Sequence, residues 1–345
     1  DIVVAYGDDA IRAEFQRGLE SHIGIKDIGR LKYCLGMHVE QNPTTFSVSV
    51  TQTGFIRELL MRTGFGEDGV RARKTPGPPG QHLKMADCPT TAEEKAEMAR
   101  EPYSQYRSVV GSLMYLTGAT RPDIGYSVNQ VARYVANPGK SHWDWLQHLL
   151  RYLAGTQELG IYYCGDAEQG VILEEERQRG YWKPDARPQP QLLSESFNNN
   201  VVSFADADWA TDPDLRRSTS GWVAFMNGGP ISWRVKRQST VATSTAEAEL
   251  YSLGDCAKEV RWLQNLLAEL GFPQPRRKPG RGGAIAQRDA VKNTGSVIFE
   301  DNTGCIQISQ NPVFHNRTKH VDTMWHFVLQ YVEEGRICVT HVGTN

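Results

Sequence analysis

"VVSFADADWATD", residues Val201 to Asp212, puts an ionisable group where an apolar strand ends. Val201 to Ala205 has the content of a buried strand. Asp206 follows at its end, and an ionised carboxylate resists burial unless it is paired or bound to a metal. Asp208 falls past that predicted strand end. Working outward, "GWVAFMNG" and "GPISWRVK" read as two further strands, with Gly228, Gly229 and Pro230 making the turn between them. "STAEAELYSLGDCAKEVRWLQNLLAELG", Ser244 to Gly271, reads as a long amphipathic helix closed by Gly271, with Glu249 in its first turns. "SVIFED" is a strand ending on Asp301. Helices from about Thr303 and from about Thr318 to Glu334 follow, and then the strand "RICVTHV". Three strands, a helix, a strand, helices and a strand predict an α/β domain around a mixed sheet.

The whole chain has 345 residues, room for about two or three domains. At 39% hydrophobic and 23% charged it has the composition of a globular protein with a real core. No apolar run reaches membrane-spanning length and no signal peptide opens the chain, so no membrane partner is expected. Six cysteines stand singly, which predicts reduced thiols in an intracellular protein and argues against a zinc site or disulfide framework. A net charge of −2 argues against a nucleic-acid partner until its distribution is read. Basic clusters occur at Arg216-Arg217, Arg234 to Arg237, Arg276 to Lys278 and Arg317 to His320, and carboxylates gathered for a divalent metal offset them in the sum.

Upstream, Ile2 to Ala5 reads as a short strand and Ala10 to His22 as a helix. "LKYCLGMHVE" and "FSVSVTQ" around "QNPTT" predict a hairpin, and Gly54 to Gly64 a short helix. Lys74 to Gln81 is loop by its prolines and glycines. Arg107 to Thr117, Ile124 to Asn137 and Trp143 to Ala154 predict three helices, the second opened by Pro122 and the third capped by Ser141. Asp166 to Asn200 and Pro273 to Gly295 read as low-order insertions.

Adjacent strand ends and a neighbouring helix can bring Asp206, Glu249 and Asp301 to one point. Such an oxygen-rich cluster suits Mg²⁺ or Mn²⁺. Two such ions, roughly 3.5–4 Å apart, activate water and stabilise the leaving oxygen of a phosphodiester. Each acid taken singly reads as a solvated strand end or helix surface; the three in this order read as a site.

"FADADWATD", "RRSTSGWVAFMNGGPISWRVKRQSTVATSTAEAEL", "EDNTGCIQISQNPVFHNRTKHVD" and "HFVLQYVEEGRI" resemble the ribonuclease H domain of copia-type LTR retrotransposon polyproteins. Upstream, "KDIGRLKYCLGMHVE", "YRSVVGSLMYLTGATRPDIGYSVNQVARYVANPGKSHW" and "LLRYLAGTQELGIYY" resemble the segment that links polymerase to ribonuclease H in the same polyproteins. The resemblance implies a ribonuclease H-like mixed sheet with flanking helices over residues 201–345. It implies a truncated reverse-transcriptase palm/thumb remnant over 1–75, a helical thumb/connection region over 76–165 and a linker over 166–200. Asp206, Glu249 and Asp301 match the family's first three metal-binding acids, and Asp322 in "RTKHVD" is the candidate fourth. The usual closing helix with a fourth acid is expected to be missing, because the chain stops at Asn345. Arg217, Arg317 and Lys319 are the candidate nucleic-acid contacts.

The activity implied is hydrolysis of RNA in RNA–DNA hybrids with two Mg²⁺ or Mn²⁺ ions, inside a larger polyprotein. The alternative is a degenerate, non-catalytic relic that at most binds nucleic acid. "AYGDD", Ala5 to Asp9, imitates a polymerase metal-binding turn, but a helix rather than a strand follows it. On the resemblance Asp1 is the second member of the polymerase pair, so no DNA synthesis is expected. His315 and His320 read equally as surface and as substrate contacts, and Trp143, Trp145 and Trp233 as core or interface.

Overall fold

The computed structural model describes residues 2–66, 69–164, 199–276, 295–310 and 319–343, the side chains of 319–322 excepted. The expected low-order stretches 166–200 and 273–295 lie largely outside them, as do His315 and Arg317.

The N-terminal half opens with helix α1 (Asp9–Glu20). The Asp8 carboxylate accepts from the Ala10 N–H at 2.8 Å, so the second half of the "GDD" imitation is a helix cap and a first helical residue. The strand expected over Ile2 to Ala5 does not form; Ile2 is 62% exposed, and an apolar run with no strand beside it has no ladder to join. Strands β1 (Tyr33–Cys34), β2 (Met37–Gln41), β3 (Val48–Thr51) and β4 (Ile161–Tyr163) make an antiparallel sheet in that order, containing the expected hairpin.

Helices α2 (Thr53–Arg62), α3 (Ala92–Met98), α4 (Tyr106–Ala119), α5 (Gly125–Ala132) and α6 (Lys140–Ala154) follow. Ile56, Leu60, Val109, Leu113, Leu146 and Leu150 lie in one buried cluster. Helix α5 is shorter than the expected Ile124 to Asn137, because Pro122 to Ile124 is a separate 3₁₀ turn and the chain after Ala132 turns away. Helix α6 starts ahead of the expected Ser141 cap: the buried His142 Nδ1 accepts from the Gly139 N–H at 2.8 Å, and the helix begins at Lys140. A side chain at Gly139 would run into the Asp87 carbonyl, so the chain enters the helix there without one. Arg121, fully buried, grips both oxygens of Asp123 at 2.9 and 2.8 Å and the Thr156 carbonyl and hydroxyl at 2.9 Å, tying the start of α5 to the end of α6.

The C-terminal half is a five-stranded mixed sheet. Its strands are β5 (Val202–Asp208), β6 (Thr219–Met226), β7 (Gly229–Arg237), β8 (Ser296–Glu300) and β9 (Ile337–His341), in the order β7-β6-β5-β8-β9. β5, β6 and β7 pair antiparallel, while β8 runs parallel to β5 and β9 parallel to β8. Helix α7 (Thr245–Glu269) packs Leu250, Leu253, Ala257 and Val260 into the core beneath it, together with Trp222, Ile298 and Val339 from the sheet. Helices α8 (Thr303–Gln310) and α9 (Lys319–Glu333) complete that layer, the Trp325 Nε1 donating to the Ile308 carbonyl at 2.7 Å. The β6–β7 turn falls one position earlier than expected: Asn227 (φ 51°) and Gly228 (φ 79°) form it, and Gly229 and Pro230 belong to β7.

The Asn227 turn is also a corner for the chain. Its carbonyl accepts from the Cys164 N–H at 2.8 Å, and its side-chain carbonyl accepts from the Asn199 N–H at 3.1 Å. Gln274 bonds the Asn199 carbonyl at 2.7 Å and the Val201 N–H at 2.9 Å. The segments 165–198 and 277–294 therefore have flanks at the end of the sheet where β5 and β8 begin.

Candidate metal centre

The site builds from the register of two parallel strands. Phe204 of β5 pairs with Phe299 of β8, so two residues further on Asp206 comes level with Asp301 at the sheet's edge. Asp206 does not end its strand as expected; β5 runs on to Asp208 because the Asp206 and Asp208 positions pair with Gly221 and Thr219 of β6. Glu249 arrives from above. Ser244 caps α7 by accepting from the Glu247 N–H at 3.2 Å, while the Glu247 carboxylate takes the Thr243 N–H at 2.8 Å and its hydroxyl at 2.6 Å. One turn further, the Ser252 hydroxyl contacts the Asp206 carbonyl at 2.8 Å and the Gly221 carbonyl at 3.0 Å, which locks the helix onto β5 and β6 at the level of the acid.

One carboxylate oxygen each from Asp206, Glu249 and Asp301 then lie within 4.8 Å of one another. Glu249 is 6% exposed and its Oε2 has no hydrogen-bond partner, while Asp206 reaches solvent. Burial, followed by the charges of Glu300, Asp206 and Asp301, pushes the Glu249 carboxyl up to about 9. Burial and Asp301 raise Asp206 as well, against the Ala207 N–H, which faces both carboxylates. Three hard oxygen donors this close, one buried with an unpartnered oxygen, have two ways to coexist: by holding protons or by sharing a cation. The donor set fits Mg²⁺ or Mn²⁺.

Glu300 was not singled out in the sequence. It is fully buried, its Oε1 accepts from the Asn302 N–H at 3.1 Å and its Oε2 has no partner. Burial, with the charges of Asp301 and Asp206, pushes it up to about 8. Its only trace in the sequence is an acid directly after the apolar "SVIF" run; strand alternation puts it on the face of Ile298, which packs in the core with α7. Cys305, also fully buried, has its thiol raised by burial and by these carboxylates, and stays protonated.

Among the described side chains, none of the other candidates joins this cluster. The Asp208 carboxylate accepts from the Tyr126 hydroxyl of α5 at 3.0 Å, so it serves the junction between the two halves. Arg217 stands partly exposed at the end of the β5–β6 loop, where its carbonyl accepts from the Asp212 N–H at 3.2 Å. Asp322 lies on the first turn of α9 and Lys319 opens that helix, but their side chains, and all of Arg317, fall outside the described residues. Trp143 and Trp145 are core at 3% exposure each, and the Trp233 Nε1 donates to the Thr117 carbonyl across the junction at 2.6 Å.

These shifts carry a pH signature. Glu249 and Glu300 have folded values above that of an unfolded glutamate, so the folded state holds protons that the unfolded chain has released. Their contribution to stability is fully present below about pH 4.5 and is lost as pH rises through about 8 to 9. With a chelator present, the melting temperature should fall by several degrees between about pH 7 and pH 9.5. Mg²⁺ or Glu300→Gln should flatten the fall. An unmodified protein whose melting temperature holds or rises over that range would contradict this account.

A five-stranded sheet in this order, with carboxylates carried by two neighbouring central strands and a third on the covering helix, defines an α/β domain of the ribonuclease H type. No family model matches the chain. The retrovirus-related Pol polyprotein from transposon TNT 1-94 of Nicotiana tabacum is 32% identical over 347 residues, covering 100% of this chain and 22% of that protein. The corresponding polyprotein from transposon RE1 of Arabidopsis thaliana is 31% identical over 345 residues, covering 100% of this chain and 19% of that protein. This chain belongs to the Pol polyproteins of copia-type retrotransposons, and it spans about a fifth of the length of those relatives. Among solved structures, LC11-RNase H1, isolated from compost, aligns with 42% of this chain and 86% of its own, at 12% identity and a TM-score of 0.28.

Proposed function

We propose that the C-terminal half hydrolyses the RNA strand of RNA–DNA hybrids, using two divalent ions held by Asp206, Glu249 and Asp301, as part of a retrotransposon replication polyprotein. The observation that carries this reading is the convergence of those three carboxylates at the open end of the sheet. When bound, Mg²⁺ or Mn²⁺ supplies charge to the phosphodiester and lowers the pKa of water. The chain's own part is positional. Asp206 and Asp301 present oxygens from two hydrogen-bonded strands, and Glu249 closes the cluster from a helix that Ser252 holds in register. Asp322, in the first turn of α9, is the proposed source of a fourth oxygen. Arg217, Arg317 and Lys319 are proposed phosphate contacts, so selection should follow helix shape and 2′-hydroxyls more than sequence. Residues 1–75 and 76–165 would be the palm/thumb remnant and the connection; with Asp8 used as a helix cap, no polymerase site is proposed there.

The test is cleavage of a labelled hybrid. Mg²⁺ or Mn²⁺ should support it, Ca²⁺ should support it poorly because its longer, looser coordination holds the reacting oxygens less closely, and a chelator should abolish it. Hybrid binding without cleavage, in folded protein with Mn²⁺ bound, would sink the enzyme reading in favour of the non-catalytic relic.

A further inference from the structure

We infer that the indole face of Trp209, with Val241 beside it, is a stacking platform for a nucleotide next to the phosphate presented to the three acids. This rests on the nuclease reading above and adds the residue that receives a base or ribose. Trp209 is 43% exposed, whereas Trp143, Trp145, Trp222 and Trp325 are buried; Trp262, exposed at 55%, lies on α7 thirteen residues beyond Glu249. Its one polar side-chain atom, Nε1, donates to the Ala242 carbonyl at 3.2 Å, which fixes the ring's orientation, so what the ring offers to solvent is apolar. Val241, beside that carbonyl, is 51% exposed.

The location follows from three small side chains. Ala242 packs with Ala207 and Ala248 in one buried cluster. Ala207 directly follows Asp206, and Ala248 directly precedes Glu249. The carbonyl that holds the indole therefore belongs to a residue in one buried cluster with the chain neighbours of two of the three acids.

The chemistry suits a neutral aromatic. A nucleic acid must bring its own negative charge up to a cluster of carboxylates, so attraction beside the cluster has to come from elsewhere. A lysine or arginine there would pair with the acids and compete with the cations. An aromatic face attracts a base or ribose by stacking, tolerates any sequence and leaves the acids' charge free for metal.

The experiment uses the full chain and a hybrid carrying 5-bromouracil near the cleavage position, held uncut in Ca²⁺. Ultraviolet cross-linking should place the adduct on Trp209. In fluorescence anisotropy, Trp209→Ala should weaken hybrid binding about tenfold or more, while Trp209→Phe, which keeps a ring, stays near the unmodified protein. Mn²⁺ binding by calorimetry and the melting temperature should be unchanged in both variants. The platform is overturned if Trp209→Ala binds hybrid like the unmodified chain. It is equally overturned if Trp209→Phe loses as much as Trp209→Ala, since the hydrogen bond to the loop would then be what matters. An unmodified chain that fails to bind hybrid removes the nuclease reading and the platform together, whereas loss in Trp209→Ala alone separates the two.

Discussion

Asp206→Asn and Asp301→Asn should each lower hybrid cleavage by orders of magnitude while the fold survives. Each change keeps the side chain's size and removes one charge from a cluster whose oxygens lie within 4.8 Å of one another. Losing a formal charge from a hard-oxygen site weakens its hold on Mg²⁺ more than it disturbs packing. The unbound protein should even gain stability, because one repulsion inside a crowded set of carboxylates disappears. Cleavage assays paired with thermal unfolding check both halves of the expectation. Asp322→Asn belongs in the same series: a loss of similar size assigns the fourth oxygen to α9, and a mild one excludes it. Near-normal cleavage by Asp206→Asn would remove the cluster from the mechanism.

The second large effect is expected at the junction between the two halves. Asp212 is 1% exposed and sits in the β5–β6 loop; its carboxylate takes Arg237 at 2.8 Å, stands 3.8 Å from Arg133 of the turn after α5, and accepts from the Asp214 and Leu215 N–H groups at 3.0 and 3.2 Å. Arg133 also donates to the Thr219 hydroxyl at 3.0 Å. Two residues along, Asp214 accepts from the Met85 N–H at 2.8 Å and the Tyr134 hydroxyl at 3.2 Å. Asp212→Ala would leave Arg237 and two backbone donors without their acceptor, and Arg133 without the charge that faces it, in a largely closed interface. Breaking a buried pair from one side costs about 3–5 kcal/mol, and Arg237, at 34% side-chain exposure, recovers part of its share from water, so the lower end applies. Denaturant unfolding should show the loss, and a change below about 1 kcal/mol would mean the network is decorative.

Much of this was legible along the chain because it is local. The apolar runs "VVSFA" and "SVIF" and the long α7 pattern are set by neighbours within a few positions; Asp206 and Asp301 stand out as acids following such runs, and Glu249 as an acid in the first turns of the helix. What was not legible depends on partners far away in sequence. Asp208 looked like a residue past its strand's end, yet it belongs to β5 and its carboxylate meets Tyr126, 82 residues earlier. Glu300 looked like one more residue of its strand, since its burial depends on a helix the strand cannot announce. Ser141 had the right chemistry for a cap, yet Gly139 starts the helix because a buried histidine ring and the crowding at Asp87 decide the entry. Ile2 to Ala5 had a strand's composition and no neighbour to pair with.

The corner at Asn227 has a consequence for how the chain can change in length. Cys164, Asn199 and Gln274 meet within one hydrogen-bond network, and β5 and β8 set off from there toward Asp206 and Asp301 at their other ends. The described residues flanking 165–198 and 277–294 therefore stand on the pole remote from the acids, so added residues would join the fold away from the carboxylates. A tether to a surface or to a fused protein belongs on that pole, where it stays clear of the three carboxylates.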